Sequence, residues 1–145
     1  MTRMITACLA LGCVCAGGPA LAHHTASVLG TVRLTQPVLA DGKPLSPGTY
    51  EIRLSGEHVT PLPGQSEDAG QWVEFVRDGM VAGREVAEVL PGPERAVGTS
   101  GSPAEGAARV EMLRGGDFLR VSANQGGARY LIHLPVAHSP VAGRW

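Results

Sequence analysis

Two adjacent histidines, His23-His24, directly follow Ala20-Leu21-Ala22. An A-x-A triplet suits signal peptidase, whose pocket admits small side chains at two alternate positions of an extended strand. Cleavage after Ala22 would make His23 the first residue, with both its free amine and its imidazole Nδ1 available to one metal ion. A second imidazole would complete a T of three nitrogens, which suits Cu(II) because that ion prefers tetragonal nitrogen ligation. The third nitrogen has to come from His24, His58, His133 or His138. His133 is the favoured partner, because alternation along 129–134 points it away from Tyr130, Ile132 and Leu134. In a straight strand His138 would face the other side, about 17 Å from His133. The two converge only if the chain bends at Pro135. The candidate metal set is therefore His23, His24 and His133, with copper as the cofactor it would hold. Against it stand the common disorder of chain termini and the chance pairing of two histidines.

Other chemistry has little to build on. There is no G-x-S-x-G, and Gly98-Thr99-Ser100-Gly101 has the wrong spacing and no strand before it. H-E-x-x-H, the phosphate-cradling P-loop and a calcium loop of alternating acids are all missing from the sequence. Glu67-Asp68 lies in a turn-rich stretch and reads as solvated charge. Arg109, Arg114, Arg120 and Arg129 alternate among Glu111 and Asp117, which points to surface ion pairs. No catalytic residue is assigned, and the chain is expected not to be an enzyme.

Composition narrows the class further. The first 22 of 145 residues have the layout of an export signal: Arg3 in a short positive start, an apolar run from Ile5 to Ala16, then Gly17-Gly18-Pro19. The run is shorter than the ~20 residues that span a bilayer, so it is not read as a transmembrane segment. The alternative is lipidation at Cys13: Leu9-Ala10-Leu11-Gly12-Cys13 has the glycine of a lipoprotein signal but Ala10 at its leucine position. All three cysteines, Cys8, Cys13 and Cys15, fall in this leader. The expected mature part, 23–145, then has no thiols, and 11 Arg and Lys against 13 Asp and Glu. That excludes a disulfide scaffold, a cysteine zinc site, a thiol enzyme and nucleic-acid binding through net charge.

The elements that must position these residues follow a period of two, bounded by Gly, Pro and Asp-Gly. Strands are expected at 28–34, with Val28, Val32 and Leu34 on one face, and at 50–54, with Tyr50, Ile52 and Leu54 inward. Residues 72–77 and 80–90 flank Asp78-Gly79, a type I′ hairpin signal because both turn residues need positive φ. Stretches 108–113, 118–122 and 129–134 form a three-stranded meander. A helix is the alternative only for 84–90. Residues 61–70 and 91–107 are loops, the second expected to be mobile. Tyr50, Trp72, Phe75, Phe118 and Tyr130 are expected to fill the core. Trp145 suggests the final aromatic of an outer-membrane barrel, but Ala137, Ser139, Val141 and Gly143 make no lipid-facing strand.

The fold class is all-β: a single small antiparallel β-sandwich or partly open barrel of seven to eight strands. Within it, Asp41-Gly42-Lys43-Pro44-Leu45-Ser46-Pro47-Gly48-Thr49-Tyr50-Glu51-Ile52-Arg53 resembles exported bacterial modules of the transthyretin-like or carboxypeptidase-regulatory kind. Those have a short strand, a Pro-Gly turn and a longer strand entering the core at a tyrosine. The resemblance implies a non-enzymatic accessory or binding domain. His23 in turn looks like the anchor of the histidine brace in exported copper proteins built on β-sandwiches. Two functions are thus expected: a non-catalytic β module of the bacterial cell envelope, periplasmic or secreted, or a periplasmic copper-binding protein anchored at His23. The partner of such a module is undefined, with an edge strand as one possible contact.

Overall fold

The computed structural model describes residues 27–91 and 101–138. They form nine strands and, among the described residues, no helix: β1 (Val28–Leu34), β2 (Val38–Ala40), β3 (Lys43–Leu45), β4 (Gly48–His58), β5 (Gly70–Arg77), β6 (Met80–Pro91), β7 (Ala108–Met112), β8 (Phe118–Gln125) and β9 (Ala128–Pro135). Seven of them make one sheet in the order β1-β4-β5-β6-β9-β8-β7, every ladder antiparallel. The sheet curls until β1 packs against β7 and β8, nearly closing a barrel. This is the all-β architecture expected, with two more short strands: β2 and β3 form a two-stranded sheet of their own.

That small hairpin turns at Asp41-Gly42, both with positive φ, and packs against β6 and β9. Val38, Ala40 and Leu45 are buried. Val38 bridges to Val136, and Leu45 packs against the backbone of Gly83, where an added Cβ would meet its Cδ2 at 3.0 Å. Inside, Ile52, Val73, Phe75, Val121 and Ile132 are fully buried. The Tyr50 and Phe75 rings meet edge-on with centroids 6.3 Å apart, and the Tyr50 hydroxyl donates to the Ser46 carbonyl at 2.7 Å. The interior is thus filled by side chains, as a barrel of this strand number should be.

The Asp78-Gly79 turn has the expected geometry, φ 52° and 77°, and joins β5 to β6. Residues 84–90 continue β6, so the helical alternative fails; cross-strand pairing with both β5 and β9 decides what local periodicity left open. Three burial expectations also need correction. Val28 is 43% exposed and Leu29 is fully buried instead, because the register shifts between Val28 and Gly30 and the bulge turns Leu29 inward. Phe118 is 44% exposed, since it alternates with the inward Leu119 at a strand end. Trp72 lies half-buried, with the Arg84 guanidinium 4.5 Å above its ring.

Candidate functional site

Along β9, Tyr130, Ile132 and Leu134 are buried and His133 is exposed, the alternation expected of the strand. His133 sits opposite Arg120 of β8, and Arg120 lies opposite Glu111 of β7. Arg120 and Glu111 form a largely buried ion pair, and the Arg120 Nε is buried without a hydrogen-bond partner. Leu131 also occupies an outward position, between Tyr130 and Ile132, yet is only 5% exposed. The run Tyr130-Leu131-Ile132, apolar on both faces, was the sequence signal that this part of the outer face is covered.

Facing this part of β9 across a hollow is the connector between β4 and β5. It is folded by local bonds: Gln65 N–H donates to the Leu62 carbonyl at 2.9 Å, the Leu62 N–H donates to Gln65 Oε1 at 3.1 Å, and Ala69 N–H donates to Ser66 O at 3.1 Å. Its end is tied to the sheet where the Val89 N–H donates to the Ala69 carbonyl at 3.0 Å. Between this connector and strands β6 and β9 lies a groove of about 450 Å³. Val59, Val86 and Leu131 supply its apolar surface, while Glu67, Glu88 and His133 supply polar groups. A second hollow of about 390 Å³ shares Val59, Pro61 and Glu67 with the first and extends to His58 and Asp68. The connector was expected as a plain loop; its role as one wall of a groove depends on where β6 and β9 place it.

The histidines fall at different places. His133 lines the first hollow and His58 the second. His138 lies with Nε2 3.4 Å from Asp117 Oδ1. His23 and His24 lie outside the described residues. Among the described residues, no three side chains of His, Cys, Asp or Glu gather as a metal-ligand set.

Two arginines depart from the surface ion pairs expected of them. Arg129 is 7% exposed, and its guanidinium donates to the Ser102 hydroxyl rather than to a surface carboxylate. Arg120 finds its acid, but in a site largely closed to water. Asn124 Nδ2 also donates to Ser102 Oγ at 2.8 Å, and the Gly126 N–H donates to Glu105 Oε1. Residues 101–107 are thereby tied to the hairpin of β8 and β9; residues 92–100 of the expected loop lie outside the described residues. Nearby, burial of the Tyr130 phenol, reinforced by the negative charge of Glu105, raises its pKa above 10.0. Compared with known protein families, curated proteins and solved structures, the chain matches none.

Proposed function

We propose that this chain is an exported, non-catalytic binding or accessory module of the bacterial cell envelope, with the groove beneath residues 59–70 as its binding face. The groove itself carries the reading: a side-chain-filled barrel bears an open, partly apolar recess of about 450 Å³ on its outer face, a size within the range that ligand sites occupy. The leader-like start and the resemblance of 41–53 to exported accessory modules support the same reading. A photo-crosslinker at Gln65, on the groove wall, tests it against one at Thr49, exposed on β4. A discrete adduct formed in cells from Gln65 alone is the expected result; equal labelling from both positions, or none, argues against the groove.

The second reading is a periplasmic copper-binding protein anchored at His23. Its supporting observation is His133, whose side chain is exposed on the outer face of β9. Native mass spectrometry of the protein exported by its own leader, with one equivalent of Cu(II), tests it. A mass beginning at His23 with one retained copper, lost in His133→Ala, is the expected outcome. A lipid-modified start at Cys13 would bury the His23 amine in a peptide bond and end the idea.

A further inference from the structure

The chain as a whole is nearly neutral, with 12 Lys and Arg against 13 Asp and Glu. The two neighbouring hollows are not. Their lining contains Glu67, Asp68, Glu85 and Glu88, and no Lys or Arg. Glu85 is already engaged, accepting from the backbone N–H groups of Asp41 at 2.8 Å and Val86 at 3.0 Å. Glu67, Asp68 and Glu88 are exposed, and among the described residues none is in an ion pair. The cations closest in sequence are committed elsewhere: Arg84 pairs with Glu57 and stacks on Trp72.

From this we infer that the groove binds an extended peptide segment carrying lysine or arginine between apolar residues. The inference rests on the groove being the binding face and names what it takes. Two arguments select this occupant. The two hollows share Val59, Pro61 and Glu67 in their linings, so a chain segment several residues long can reach both, whereas a compact cation occupies one. Their surface then offers apolar contact at the half-buried Val59 and Val86 and carboxylates at Glu67, Asp68 and Glu88. An extended chain turns successive side chains to opposite sides, so one side can lie on the apolar floor while the other meets the carboxylates. Complementary charge of this kind sets specificity and encounter rate more than raw affinity.

The test is fluorescence anisotropy on the full chain exported by its own leader, with three labelled peptides of equal length: valine alternating with lysine, with glutamine or with glutamate. The lysine peptide is expected to bind about tenfold more tightly than the glutamine peptide, and to weaken as salt screens the exposed charges. Glu67→Gln with Glu88→Gln should weaken it by about fivefold, the sum of two exposed ion pairs. Asp78→Asn with Asp117→Asn changes net charge equally but away from the groove and should leave binding unchanged. Equal weakening in both double variants overturns the inference. So does glutamine or glutamate peptide binding as tightly as lysine, although the groove would then remain a binding face. Failure of all three peptides also overturns the inference, and the Gln65 crosslink separately decides whether the groove binds anything.

Discussion

At the residue scale, Tyr130 couples the fold to pH. Its phenol is held neutral by burial, with Glu105 adding to the effect, so its pKa in the folded chain lies above the ordinary 10.0. The group's contribution to stability is complete below that ordinary value. As pH rises past it, the unfolded chain gives up the proton first, and stability falls until the folded phenol also ionises. Urea midpoints are therefore expected to drop as pH rises past 10.0, and Tyr130→Phe should flatten that drop. An unchanged slope in the variant would show that other groups carry the alkaline loss. Alternation alone placed Tyr130 inward, but the neighbour that adds to its shift was beyond reach. Glu105 arrives from a Pro- and Gly-rich stretch through a bridge to Asn124, a contact with no periodic signature.

At the scale of single elements, turn chemistry was the most legible part. Asp78-Gly79 names its own turn type, since only a residue tolerant of positive φ followed by glycine joins two twisted strands in two residues. Gly79→Ala should cost about 1 kcal/mol, because alanine at φ 77° sets its Cβ against the backbone. Asp78→Asn should change stability by less than about 0.5 kcal/mol, since asparagine adopts the left-handed conformation as readily. Denaturant titration of the two variants checks both; equal losses would mean that the turn is not what pins the hairpin. The bulge at Leu29 shows the opposite case. Strict alternation from Val28 gives the wrong inward residue there, because a bulge is set by pairing with β4 and by packing at the barrel's closure. Phe118 and Trp72 were misplaced for a related reason: aromatic character marks a strand, but not which face of a curled sheet each ring will occupy. The groove was the least legible, since its wall is a connector whose residues form no pattern until β6 and β9 lie beneath them.

For the whole molecule, the decisive feature is the closure between β1 and β7. These edges lie against each other without a ladder. Gly30, at φ 144°, makes the approach possible: an added Cβ would sit 2.8 Å from the Ala108 backbone nitrogen and 3.0 Å from its Cβ. Gly30→Val should cost about 2–4 kcal/mol, combining a disfavoured φ with overpacking. Hydrogen exchange in β1 and β7 should rise well before that in β5 and β6, which are paired on both sides. A loss under about 0.5 kcal/mol would mean that the edges separate at little cost.

The strand order has one more consequence. β1, β4, β5 and β6 come from the first half of the chain, and β9, β8 and β7 from the second; the β6–β9 ladder, the closure and the bridge from Val38 to Val136 join them. Neither half threads through the other. A protease site placed within 92–100 and cut after folding should yield two pieces that stay together on gel filtration and part only in denaturant. Mixed again after dilution, they should restore the barrel, making this chain a split reporter whose break point falls between β6 and β7 in the sequence.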